Sequence, residues 1–318
     1  MDKSFIERLH PDILEMYEAM PEYSADFPGS VREMMVDFLA SEAPADEEIL
    51  VSERSVLNGK TNEEVGIRIY SSVSDDSVKP GLLWIHGGGY VGGMAIIDDA
   101  LCIRVAKEAS CVVVSVDYHL APEYPYPVPL EDCYAALQWF ADNSGELHVD
   151  ENRIAVAGNS AGGGLTAALA LLARDRGGPK LCFQMPLYPM IDDRNSTPSS
   201  YEIHDPKVWT YEKNAVAWSQ YLGKEKPDQV PVYAAPARAT DLAGLPPLYT
   251  CIGELDVFRD ETLDYVTRLA RAGVPAEFHL YPGCFHGFDL DLPGIKCDIG
   301  ERARNDYIRA LVMALASA

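Results

Sequence analysis

From Ile49 onward the chain alternates short, β-branched apolar runs with longer stretches of helical period. That rhythm commits it to a mostly parallel sheet covered by helices, because strands buried on both faces read as continuous apolar runs and parallel neighbours need helical crossovers. Two early runs, Ile49 to Leu57 and Val65 to Ser71, flank Asn58-Gly59 and predict a leading antiparallel hairpin. Six more follow: Gly81 to His86, Cys111 to Tyr118, Arg153 to Asn159, Leu181 to Tyr188, Pro247 to Gly253 and Ala276 to Tyr281. Helical patterns occupy Ala100 to Ala109, Leu130 to Asp142, Ala161 to Arg174, Glu261 to Ala272 and Ile299 to Leu315. The first four are long enough to carry crossovers. Residues 1–45 and about 191–235 break the rhythm, the second with Trp209 and Trp218 in helical spacing. They are expected to form a cap on one domain, over the carboxyl edge where α/β sheets bind ligands.

Two glycine-rich turns carry chemistry. Ile154-Ala155-Val156-Ala157 runs into Gly158-Asn159-Ser160-Ala161-Gly162, and an Ala/Leu-rich helix begins at once. A G-x-S-x-G in this strand-turn-helix setting holds a serine hydroxyl out at the top of a sheet, beside the free N–H groups of a helix N-terminus. The pattern alone is weak; a glycine turn packing helix on strand would produce it too. After the third strand comes His86-Gly87-Gly88-Gly89-Tyr90, then Gly92-Gly93. Glycine is required where backbone amides must approach a tetrahedral oxyanion without obstruction. Gly87, Gly89 and Gly92 also match G-x-G-x-x-G formally, but the next helical pattern waits until Ala100, so a dinucleotide reading fails in context. His86 is expected to hold this loop by hydrogen bonds.

A serine nucleophile on this scaffold is followed in the chain by its acid and then its base. The histidines after Ser160 are His204, His279 and His286. His204 lies in the expected cap, and His279 lies inside an alternating strand pattern. His286, in Cys284-Phe285-His286-Gly287-Phe288, stands just past the last strand and is the expected base. The acid should leave the end of the preceding strand; Asp256 is preferred to Glu254, which is still strand-borne, and to Asp260 and Glu261, which suit a helix N-terminus.

Together these pieces resemble the hormone-sensitive-lipase-like esterases of the α/β-hydrolase superfamily. The resemblance rests on His86-Gly87-Gly88-Gly89, Asp117-Tyr118-His119-Leu120-Ala121-Pro122-Glu123, Gly158-Asn159-Ser160-Ala161-Gly162-Gly163, Asp256 with Arg259-Asp260-Glu261, and His286-Gly287-Phe288. It implies the α/β-hydrolase fold, oxyanion donors from Gly88, Gly89 and Ala161, and a cap closing over an acyl pocket. Asn159 and Val257-Phe258 depart from the residues common in that family, which puts substrate preference in doubt rather than activity.

The expected reaction is hydrolysis of short- to medium-chain carboxylic esters through an acyl-enzyme, with Ser160 attacking, His286 as base and Asp256 orienting it. Neither metal nor organic cofactor is required, and no H-E-x-x-H or paired-cysteine motif suggests one. Tyr90, Trp209 and Val257 are pocket candidates. Amide hydrolysis, lipase activity and a non-catalytic receptor of the same fold are the rivals. The substrate is thus a small-molecule ester. The net charge of −23 repels phosphate backbones and anionic lipids, so neither nucleic acid nor membrane is expected as a partner, and no apolar stretch is long enough to span a bilayer. Seven cysteines with no C-x-x-C, and a start without signal-peptide character, predict buried thiols and a cytoplasmic location. A homodimer through an edge strand is the assembly left open.

Overall fold

The computed structural model describes residues 4–22, 29, 32, 35, 46–75, 77–223 and 230–317. Eight strands form one sheet: β1 Ile49–Asn58, β2 Glu63–Ser72, β3 Lys79–Ile85, β4 Val112–Asp117, β5 Val149–Asn159, β6 Phe183–Leu187, β7 Leu248–Leu255 and β8 Ala276–Phe285. Their spatial order is β1-β2-β4-β3-β5-β6-β7-β8. β2 runs antiparallel to both β1 and β4, and all other pairings are parallel. The central strands β3, β4 and β6 are buried along almost their whole length, whereas β1 and the first half of β8 are largely open at the sheet's two edges. This is why the former read as unbroken apolar runs.

Eight α-helices are present among the described residues: α1 Phe5–Arg8, α2 Leu14–Ala19, α3 Asp99–Glu108, α4 Val128–Asp142, α5 Ala161–Arg176, α6 Tyr211–Leu222, α7 Arg259–Arg271 and α8 Asp298–Ser317. α3, α4, α5, α7 and α8 pack against the strands, in the α/β-hydrolase fold. α5 is buried on every side from Ala161 to Ala173, which explains a helix of Gly, Ala and Leu with no polar face until its end. Gly177 closes it in the left-handed region at φ 79°.

Most boundaries shift by a residue or two from the sequence reading, and three of the differences have a local reason. The hairpin has no two-residue Asn58-Gly59 turn: β1 includes Asn58, whose side chain caps residues 60 and 61 of a longer loop while its carboxamide donates to buried Asp132 at 2.7 Å. β5 begins at Val149, earlier than its apolar run, because Lys79 pairs with Val149 before a bulge. β8 continues to Phe285, where a register shift lets it pair with Leu255 at the end of β7. That extension carries the strand right up to His286.

Above the carboxyl edge, α1, α2 and the segment between β6 and β7 meet. Tyr17 Oη donates to Asp205 at 2.8 Å, and Lys207 Nζ donates to the carbonyls of Tyr17 and Glu18. The rest of the first expected cap segment, from 23 to 45, lies outside the described residues apart from 29, 32 and 35, and 224–229 of the second do as well. All seven cysteines are free and six are buried. Among the described residues no helix is long and apolar enough to cross a membrane.

Candidate active site

β5 ends against the ends of β3 and β6, and the turn out of it is sterically forced. A Cβ on Gly158 or on Gly162 would fall against the carbonyl oxygen of Ile85, well inside contact distance. Between these glycines Ser160 sits at φ 55°, ψ −116°, a conformation that L-residues avoid and that surrounding structure must impose. The restraint is visible: Ser160 N–H donates to Leu187 O, while Ser160 O accepts from Gly164 and Met190.

The strained turn aims Ser160 Oγ at His286, 2.7 Å from Nε2. Nδ1 of the same ring lies 2.8 Å from Asp256 Oδ2. An ionised carboxylate only accepts, so Nδ1 carries the hydrogen and Nε2 offers its lone pair to the serine hydroxyl. Asp256 is 1% exposed, and its other oxygen accepts from Phe258 N–H at 2.9 Å, which fixes the carboxylate's plane. Aromatic rings cage the imidazole: Tyr188 and Phe258 present T-shaped contacts at 5.2 and 5.0 Å, and Trp209 lies at 6.2 Å.

The glycine loop faces this group from β3. Gly88 and Gly89 have φ of 119° and 62°, and Gly88 O accepts from the amides of Val91 and Gly92, folding the loop back on itself. The amides of Gly88, Gly89 and Ala161 make no backbone hydrogen bond among the described residues. Unbonded N–H groups beside a serine hydroxyl are what a developing oxyanion would use. His86 lies behind the loop, stacked on Tyr118 at 4.2 Å with Nδ1 2.7 Å from Gly87 O. Burial pushes its pKa down, so it is a neutral ring that donates to its own loop.

The rejected histidines and carboxyls have other tasks. His279 bonds Glu277 at 2.9 Å, and His204 is exposed beside Glu212. Glu254 accepts from Gly283 N–H, and Asp260 from Ser199 N–H. Buried Glu261 accepts from the amides of Ile191 and Asp192, with its pKa raised by burial.

A cleft of roughly 100 Å³ opens over Ser160, walled by Met20, Ile97, Tyr188, Trp209 and Leu290. Of the three pocket candidates only Trp209 lines it. Tyr90 is turned inward: its ring stacks on Tyr221 at 4.0 Å and its hydroxyl donates to Met190 O, so the sequence expectation is corrected to a core role. Val257 is likewise corrected: it is fully buried, and its carbonyl accepts from Ser199 Oγ. Sequence reasoning missed Tyr188 and Asp98, both at the cleft. Tyr188 follows β6 with a positive φ of 32°, which no local motif announces. Among the described residues no group of three or more His, Cys, Asp or Glu is placed to hold a metal ion.

Comparison with known proteins narrows the chemistry. Residues 82–290 match a family described as alpha/beta hydrolase fold. The chain is 41% identical over 226 residues to Esterase LipI of Mycobacterium tuberculosis, covering 70% of this chain and 71% of that protein. It is 39% identical over 246 residues to Carboxylesterase NlhH of the same organism, covering 76% of each. A solved structure of a bacterial heroin esterase superposes with a TM-score of 0.91 at 38% identity, covering 98% of this chain and 99% of the other.

Proposed function

The chain belongs to the hormone-sensitive-lipase-like α/β hydrolases and is a carboxylesterase, and on that premise we propose that Ser160, His286 and Asp256 perform the hydrolysis. One observation carries the assignment of roles: an unbroken path of 2.7 and 2.8 Å from the serine hydroxyl to a buried carboxylate. In this reading His286 takes the proton of Ser160 as its oxygen attacks the ester carbonyl. Asp256 holds the ring in the receiving tautomer and stabilises the imidazolium that forms. The amides of Gly88, Gly89 and Ala161 donate hydrogen bonds to the negative charge that builds on the carbonyl oxygen. The alcohol leaves with the proton from Nε2, and water activated by the same nitrogen releases the acid.

The substrates are esters of short to medium acyl chains. The small cleft, closed by Trp209 and Leu290, supports that limit. We read 1–45 and 191–235 as one cap, in keeping with the bonds from Lys207 to the Tyr17 and Glu18 carbonyls. A cytoplasmic location is supported by seven free thiols, and β1 or β8 is the edge through which a homodimer would form. Rates on p-nitrophenyl esters from acetate to palmitate, with an anilide alongside, test the reading. A maximum between acetate and octanoate that vanishes in Ser160→Ala is expected. Turnover that survives the substitution, or a maximum at palmitate, contradicts it.

A further inference from the structure

The glycine loop is gripped from outside by one cation. Arg32, far upstream in the chain, lays its guanidinium against two main-chain carbonyls: Nε donates to Val91 O at 2.6 Å and Nη2 to Ala121 O at 2.8 Å. Its other edge forks onto Glu123, with Nη1 3.0 Å from Oε1 and Nη2 2.6 Å from Oε2. Glu123 closes the stretch Asp117 to Glu123, which the Ser160 relay leaves without a task.

The Val91 carbonyl leads to the oxyanion donors. Whatever polarises the oxygen of a peptide group strengthens the N–H on its other side, and peptides bonded in series reinforce one another. Val91 O shares a peptide with Gly92 N–H, which donates to Gly88 O at 2.9 Å. Gly88 O shares a peptide with Gly89 N–H, one of the three amides without a backbone partner. The order is therefore guanidinium, Val91–Gly92 peptide, Gly88–Gly89 peptide, cleft. A second strand of bonds meets the first at Gly88 O. Ala121 N–H donates to Tyr90 O at 2.9 Å, and the N–H of that peptide, on Val91, donates to Gly88 O at 3.1 Å. Ala121 is also the residue whose carbonyl Arg32 holds, so the guanidinium braces the loop along both routes.

The sign of the charge suits the chemistry. A cation at the carbonyl end of such a series draws electron density from the N–H at the far end and makes it a stronger donor to a developing anion. The guanidinium stays charged at any working pH, and Val91 is fully buried, where the effect is little screened. Glu123 accepts from the two Nη groups and leaves Nε to Val91, so the positive group is the nearer one to the series.

We propose that Arg32 is a positioning residue for ester hydrolysis: as the cationic end of two hydrogen-bonded peptides in series, it orients and polarises Gly89 N–H towards the oxyanion. The inference rests on Gly89 N–H being a donor to the adduct of Ser160.

An aryl trifluoromethyl ketone reports on that adduct. Ser160 Oγ bonds to the ketone carbon, the carbonyl π pair moves onto oxygen as the oxyanion, the hydroxyl proton passes to His286 Nε2, and no group leaves. Wild type, Arg32→Gln, Arg32→Lys and Glu123→Gln are compared on p-nitrophenyl acetate and in their inhibition by the ketone. Arg32→Gln keeps a donor without the charge. Its kcat should fall about tenfold and its Ki for the ketone rise about as much, with KM within about twofold. Arg32→Lys, still cationic, should keep kcat within about threefold, and Glu123→Gln, which leaves the cation on Val91 O, within about twofold. Should Arg32→Gln fail to fold in a thermal melt, Arg32→Met carries the same expectation. Wild-type kcat in the neutral variant, a fall in kcat without a matching rise in Ki, or equal losses in Arg32→Gln and Arg32→Lys would overturn the proposal. So would a loss in Glu123→Gln as deep as in Arg32→Gln, which would reduce Arg32 to a tether. Turnover that survives Ser160→Ala, or a ketone that does not inhibit the wild type, would instead strike at the reading of the nucleophile and its oxyanion donors.

Discussion

On one side of Ser160 stand two glycine loops whose backbones leave no room for a Cβ; on the other stands a wall of large side chains, Trp209, Tyr188, Leu290 and Met20. The loops are shaped by main-chain crowding: a Cβ on Gly158 or Gly162 would run into Ile85 O, and one on Gly88 into the carbonyl of Gly92. The wall holds its shape through side-chain bonds, Trp209 Nε1 to Asn214, Asn214 to Asn195, and Asn195 to the carbonyl of Tyr211. The difference divides the labour. Groups that stabilise a transition state must be placed to fractions of an ångström and are built from backbone, whereas groups that select substrates tolerate exchange and are built from side chains.

That division predicts where substitution hurts. Gly162→Ala brings a Cβ into the carbonyls of Ile85 and His86, so the elbow must shift. The expected loss in kcat is about a hundredfold or more, with KM changed far less, comparable to removing an oxyanion donor. Steady-state kinetics with a thermal melt of the same sample would break the comparison if kcat survived. On the wall, Trp209→Ala should act on selection instead. The ratio of kcat/KM on octanoate to that on acetate should rise about tenfold, as a pocket contact of a few methylenes allows. An unchanged ratio would mean the wall does not set chain length. Smallest is Tyr17→Phe, which removes the bond between α2 and Asp205 while leaving the ring in place. It should cost about 1 kcal/mol of unfolding free energy with little effect on kcat.

The same contrast explains what the sequence disclosed. Backbone-built features need particular residues at fixed spacing, so His86-Gly87-Gly88-Gly89 and Gly158 to Gly162 stood out, and residues of both turns line the cleft. The eight strands along the chain and the position of His286 just past the last of them followed from the same logic of apolar runs and turns. Side-chain-built features gave no such signal. Tyr90 adjoins the glycine loop in sequence, yet a positive φ of 66° turns its ring inward onto Tyr221, a direction that neighbourhood cannot disclose. Val257 follows Asp256 directly, yet it is fully buried and does not line the cleft. Tyr188 and Asp98 reach the cleft from the ends of other elements, and Asp98 is held there by a bond from Trp84 on β3 that no local pattern announces. Local pattern pointed to the residues that the structure brings together as the relay; tertiary packing alone located those that surround them.

The most direct test of the account is where an organophosphate binds. After reaction with diethyl p-nitrophenyl phosphate, peptide mass spectrometry should find a single diethylphosphoryl adduct, on Ser160, formed in step with loss of ester turnover and much more slowly in His286→Ala. Complete inactivation with Ser160 unmodified, or an adduct whose formation is indifferent to His286, would contradict the relay on which the account depends.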